Sequence, residues 1–133
     1  MPSNTDLVRA AFQAVHDNDI EVLLTMLSEE IEFHSLTGRV AGRGPYLGHA
    51  GMREWDHDRN ATWRLEAETT SFEERGDLVL VGAHIRTTGD VSGIRFDTPT
   101  TWVVRVEDGK IRSIKGFFEH DAAREAFENH SAD

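Results

Sequence analysis

Apolar residues recur at helical spacing through the first third of the chain and at alternate positions through the second half. Leu7, Val8, Ala11, Phe12 and Val15 form one stripe at steps of three and four, which predicts a helix. It starts near Asn4 to Asp6, whose short polar side chains can take up free amides. Asp17, Asn18 and Asp19 break the run, and Ile20, Leu23, Leu24 and Leu27 repeat the spacing in a second helix. From Glu30 to Leu36 the period changes to two, with Ile31, Phe33 and Ser35 on one face and Glu32 and His34 on the other. Gly38, Gly42, Gly44 and Pro45 then make a long connection. A third helix is predicted from about Gly48 to Asn60, turning Met52 and Trp55 inward.

From Thr62 to about His120 the pattern is that of strands. They run from Trp63 to Phe72, Leu78 to Thr88, Ile94 to Val106 and Lys110 to His120, with turns at Arg75-Gly76-Asp77, Gly89-Asp90 and Asp108-Gly109. The last turn is a strong hairpin signal, because both residue types tolerate positive φ. Asp121 caps a short terminal helix holding Ala122, Ala123, Ala126 and Phe127. Helices first and antiparallel strands after, joined by short turns, predict an α+β fold. Alternation sets Thr100, Trp102 and Val104 on one face, with Ile114, Gly116 and Phe118 across the hairpin. A glycine in that strand leaves room for something to approach closely.

Composition narrows the function classes. The chain has 133 residues, the size of one domain, and a formal charge of −10 from 24 acidic against 14 basic residues. Such a surface repels phosphate backbones and anionic lipids, so neither a nucleic acid nor a membrane is expected as partner. Arg39 and Arg43 lie in the glycine-rich loop without interleaved aromatics, the pattern of a solvated loop. Cysteine is absent, which excludes disulfides, thiolate metal sites and a cysteine nucleophile, and fits the cytoplasm. Met-Pro-Ser-Asn-Thr-Asp has neither the basic region nor the apolar segment of a secretory leader. His49, Asp56 and His57 share a helix without the i, i+4 spacing that aims two ligands at one metal, and no metal or cofactor is expected.

Four features together are similar to SnoaL-like members of the nuclear transport factor 2-like superfamily. They are the N-terminal helix pair, Tyr46-Leu-Gly-His-Ala-Gly-Met-Arg-Glu-Trp55, Val104-Val-Arg-Val-Glu-Asp-Gly-Lys-Ile111 and Gly116-Phe-Phe-Glu. The resemblance covers about residues 5–127 and implies one domain over residues 1–133. It implies a cystatin-like, cone-shaped barrel in which a strongly bent antiparallel or mixed sheet wraps the N-terminal helices. The open end would be a cavity for a small, rather apolar molecule. Relatives include ketosteroid isomerases, polyketide cyclases, epoxide hydrolases, dehydratases and proteins without catalysis, so the fold selects no reaction. Many pair through the outer sheet face, which implies a homodimer and would leave Thr101, Val103, Arg105, Lys115 and Phe117 for the partner subunit.

The resemblance also supplies positions for chemistry. The carboxylate base of the isomerases falls on Ser35, or with a gap on His34, and their oxyanion donor falls on Trp102. Neither of the first two is a carboxylate, and an indole N–H donates a hydrogen bond without supplying an acid proton. The Asp-Arg-Asp set of epoxide hydrolases is not recognisable. His34 can exchange protons near neutrality, yet alternation puts it opposite Ile31 and Phe33, where it would face solvent or cap a helix. His84 shares a face with Arg86 and would bind an enol or carboxylate oxygen if that face lined the cup; Val79, Val81, Ala83 and Ile85 fill the other face, which gives the pair an exposed-sheet reading as well. His120, between Glu119 and Asp121, has both a mouth and a capping reading.

The expected lining is Phe33, Ser35, Tyr46, Trp63, Thr100, Trp102, Gly116 and Phe118, with Trp55 an ordinary core aromatic. The expected function is a small-molecule pocket protein performing isomerase-, cyclase- or dehydratase-like proton transfer on an apolar carbonyl compound. His34 or His84 would be the base, and Tyr46 or Trp102 would orient an oxygen. The alternative is a non-catalytic ligand-binding or dimerising accessory domain of the same fold.

Overall fold

The structure, a computed structural model, describes residues 3–35, 44–89 and 95–130, without the side chains of 59–65, 87–89, 95, 96 and 130. The expected loop residues Gly38, Arg39, Gly42 and Arg43 therefore lie outside the described residues. Helix α1 spans Asn4–His16 and α2 spans Ile20–Met26. Strand β1 (Leu27–His34), β2 (Tyr46–Leu47), α3 (Gly48–Thr62), β3 (Trp63–Arg75) and β4 (Leu78–Gly89) follow, then β5 (Arg95–Glu107), β6 (Lys110–Phe117) and α4 (His120–His130).

Local chemistry sets these boundaries. Ser3, one residue ahead of the expected start, caps α1: its hydroxyl accepts from the Asp6 N–H at 3.1 Å while the Asp6 carboxylate accepts from the Ser3 N–H at 3.3 Å. Asp19 caps α2 by accepting from the Val22 N–H, at 3.2 Å. Leu27, expected as the last apolar residue of the second helix, instead has extended backbone (φ −100, ψ 139) and opens β1. Gly76, with φ 60, turns the chain between Arg75 and Leu78, and Asp108 and Gly109, with φ 54 and 76, turn it between Glu107 and Lys110. Turns with positive φ match the right-handed twist of the strands they join.

The six described strands form one mixed sheet in the order β2-β1-β6-β5-β4-β3. β1 and β6 run parallel and the other neighbours antiparallel. The wrapped sheet is thus an open one, with β2 and β3 as its edges among the described residues. Helix α3 meets β1 and β2 near one edge and β3 at the other, so the sheet bends around it. Helix α1 covers the β3 edge: Thr5 donates twice to the Glu74 carboxylate, at 2.8 and 3.0 Å, and His16 Nδ1 donates to the Ala67 carbonyl at 3.0 Å. Such cover takes up polar groups that would otherwise template another strand.

The apolar residues divide between the two faces. On the concave side Val8, Phe12, Leu23, Ile31, Met52, Val81 and Val104 are among a large buried core, and the inward anchors Met52 and Trp55 are as expected. On the convex side Leu78, Leu80 and Val103 bury against Ala123 and Phe127 of α4, with Phe117 packed alongside. This corrects the expectation that the outer face around Val103 and Phe117 is left for a partner. The chain's own last helix covers it, and fully burying one such aromatic side chain contributes roughly 1.5–3 kcal/mol. No described helix is long and apolar enough to cross a membrane.

Candidate functional site

Five aromatic side chains converge on the concave face. Phe33, on β1, sits at their centre: Trp55 of α3 meets its ring edge-on at 4.9 Å, Tyr46 of β2 lies 6.3 Å away at 26°, and Trp102 of β5 lies 6.2 Å away at 16°. Phe12 of α1 closes on Trp102 edge-on at 5.8 Å. Tyr46, Phe33 and Trp102 therefore form a row of near-parallel rings, with Trp55 and Phe12 as its edge contacts. Register explains the row. Phe33 pairs with Tyr46 on one side and Ile114 on the other, and Trp102 pairs with Gly116.

Each end of the row carries polar atoms. The Trp102 indole N–H donates to Thr100 Oγ1 at 2.9 Å, and Thr100 Oγ1 in turn donates to the Ala83 carbonyl at 3.0 Å. Both side chains are buried, and among the described residues no buried side-chain nitrogen or oxygen lacks a partner. At the other end the Tyr46 hydroxyl points to Asp58 Oδ2, at a long 3.5 Å. Sequence reasoning missed Asp58. Its spacing, three residues beyond Trp55 on α3, puts both on one side of the helix and was the available signal. Tyr46 also borders an open cleft of about 360 Å³ lined by Pro45, Leu47, Ala50, Gly51 and Glu54.

The sequence-derived residues separate into two groups. Phe33, Tyr46, Thr100 and Trp102 come together, with Gly116 buried in register beside Trp102. Ser35 follows β1, half-buried. Phe118 lies beyond the end of β6, 50% exposed and outside the core cluster. Trp63 opens β3 opposite Gly89, and its side chain is outside the described set.

The histidines lie elsewhere. His34 is on the face of β1 opposite Phe33, its Nε2 3.8 Å from Glu32. His84 alternates with the buried Ala83 and Ile85 and so stands on the convex face, hydrogen-bonded through Nδ1 to Asp97 at 2.7 Å. Arg86 adds a 3.4 Å contact to Asp97 and a 3.5 Å contact to Glu68. The His84 hydrogen bond holds the Asp97 carboxyl below the usual carboxylate range, with desolvation opposing it and the charge of Arg86 adding to it. His49 Nε2 donates to the Leu27 carbonyl at 3.0 Å, and His120 Nδ1 lies 3.2 Å from Thr101 Oγ1 at the start of α4. Among the described residues, no three His, Cys, Asp or Glu side chains are grouped to hold a metal.

The sequence profile of a family described as the SnoaL-like domain matches residues 8–114. No curated protein matches the chain. Among solved structures, an NTF2-like protein of unknown function from Burkholderia pseudomallei is similar over 96% of this chain and 97% of its own, at 21% identity and a TM-score of 0.78. TerC, co-crystallised with polyporic acid, is similar over 94% and 98%, at 24% identity and a TM-score of 0.77. A candidate polyketide cyclase from Pseudomonas putida is similar over 91% and 95%, at 17% identity and a TM-score of 0.75. At these identities the likeness establishes a shared fold.

Proposed function

The chain belongs to the SnoaL-like domain family, and from that premise we propose that it holds a small, largely apolar, ring-containing molecule against the row Tyr46–Phe33–Trp102. The observation that carries this reading is the position of Phe33, whose ring meets three other aromatic rings on the concave face. Aromatic surfaces offer a large apolar contact with preferred ring geometry, the usual chemistry of a small-molecule site. TerC, similar in fold, was co-crystallised with polyporic acid, which supports a small molecule as the ligand. Ser35, Thr100, Gly116 and, from beyond β6, Phe118 belong to the proposed lining, as does Trp63.

The test is a titration of native protein and Phe33→Ala with a bicyclic aromatic probe, read by tryptophan fluorescence. Saturable binding that weakens roughly tenfold or more in the variant supports the reading. Absence of saturable binding to the native protein removes it.

A second reading, isomerase-, cyclase- or dehydratase-like proton transfer on an apolar carbonyl compound, is favoured by the Tyr46–Asp58 contact. A phenol beside a carboxylate can pass a proton to or from a bound molecule. His34 and His84 stand on the face away from the aromatic row, so either enters this chemistry only with a molecule bound on that face. Replacing each of His34, His84 and Asp58 in turn, once a turnover assay exists, distinguishes them: the base is the residue whose loss lowers kcat. We extend the proposal to a cytoplasmic homodimer, paired through the part of the convex sheet that α4 leaves uncovered, around His84, Arg86 and Asp97. Sedimentation of native protein against an Arg86→Glu variant tests the pairing.

A further inference from the structure

Assuming the pocket reading, we infer that Thr100 sets the hydrogen-bond polarity at the Trp102 end of the aromatic row, so that the site selects a ligand bearing a hydroxyl over the matching ketone. Trp102 is the member of the aromatic row whose ring carries a donor, and that N–H is already given to Thr100 Oγ1 at 2.9 Å. A hydroxyl has one proton and two lone pairs. The proton of Thr100 goes to the Ala83 carbonyl at 3.0 Å, and one lone pair receives the indole N–H. What this pair has left to offer is an acceptor.

The consequence is a rule about ligands. An alcohol, phenol or enol placed there can donate to Thr100 Oγ1. A ketone oxygen in the same place would leave water and receive no proton in return, the asymmetry that makes unsatisfied polar groups costly. A site built on one hydrogen-bond sense rejects the isostere of the other sense more strongly than it rejects a missing methylene. Tyr46 at the opposite end repeats the bias, since its hydroxyl proton faces the Asp58 carboxylate. Thr100 acts here through polarity and through its hold on the Trp102 ring, so it is a specificity-determining residue.

The test uses 2-tetralol and 2-tetralone, which share a skeleton and differ in whether the oxygen donates. Their dissociation constants are measured by calorimetry for the native protein, Thr100→Ser and Thr100→Val. The native protein binds the alcohol more tightly, by roughly fivefold or more. Thr100→Ser keeps that order. Thr100→Val removes the acceptor and releases the Trp102 N–H, so the order reverses toward the ketone, a change that loss of packing alone would not produce. Equal or tighter ketone binding by the native protein overturns the inference while leaving the pocket reading intact, as does an unchanged preference in Thr100→Val. Failure of both probes to bind the native protein overturns the inference and the pocket reading together.

Discussion

The rings of Phe33 and Trp102 lie 6.2 Å apart and within 16° of parallel, although their strands are separated by β6. Strands two places apart are roughly 9.6 Å apart in a flat sheet. The gap is bridged where β6 places Gly116 in register with Trp102. A side chain at that position would stand on the concave face, directly beside Trp102 in the ladder. Gly116→Val is therefore expected to displace Trp102 and to destabilise the fold by about 1–3 kcal/mol through overpacking. Urea unfolding measures the loss, and near-ultraviolet circular dichroism reports the ring. An unaltered spectrum with unaltered stability would refute this account of Gly116.

Gly82 is constrained differently. A Cβ there would come within 2.5 Å of Ser71 Oγ and 3.0 Å of Thr70 Oγ1, because the register of β3 shifts between Thr69 and Ser71 and brings both hydroxyls onto one position. Gly82→Ala is expected to cost about 1–3 kcal/mol. Adding Ser71→Ala should recover part of that, since the Ser71 Cβ lies at an ordinary 3.7 Å. Strict additivity in the double-mutant cycle would show that Ser71 is not the obstacle.

Helix α4 is held to the convex face chiefly by Phe127 and Ala123, both fully buried. Truncating the aromatic leaves a cavity as well as losing transfer free energy, so Phe127→Ala should cost roughly 3–5 kcal/mol. Amide exchange should rise along 120–130. If exchange there is unchanged, the helix is anchored by something other than this side chain.

The Asp97 carboxyl sits below the usual carboxylate range because His84 donates to it and Arg86 lies beside it. The sign follows from linkage. A carboxyl that ionises more readily in the folded protein adds stability above its unfolded pKa, about 3.9, and loses it as the pH falls through the lower folded value. Asp97→Asn should therefore melt below the native protein at pH 5 and converge with it in strongly acidic buffer. A Tm difference that stays constant over that range would contradict the linkage. The effect should be small, because the pair is half-exposed and screened.

Much of the architecture was legible from spacing. The stripe from Leu7 to Val15, the inward Met52 and Trp55 and the Asp108-Gly109 turn are all where periodicity and turn chemistry put them. Three features were not. Strand β2 is two residues long, too short to show a period, and exists because Tyr46 and Leu47 pair with Phe33 and Glu32. The cover of the outer face by α4 depends on how Phe127 docks against Leu80 and Val103, a contact that a sequence pattern does not encode. The site was half visible. Alternation grouped Thr100 with Trp102, but the donation of the Thr100 hydroxyl follows from the register that carries Thr100 past Ala83. The histidines drew attention by their chemistry, although alternation already set His84 on the face opposite Ala83 and Ile85, where it stands.

The parallel pairing of β1 with β6 joins Leu27 to Ile111, across the whole run of intervening elements. During synthesis β1 can find only the two-residue β2 until β6 has left the ribosome. Such a topology postpones its longest loop closure, so the edge formed by β1 and β2 should join the sheet after the antiparallel pairs of β3, β4 and β5.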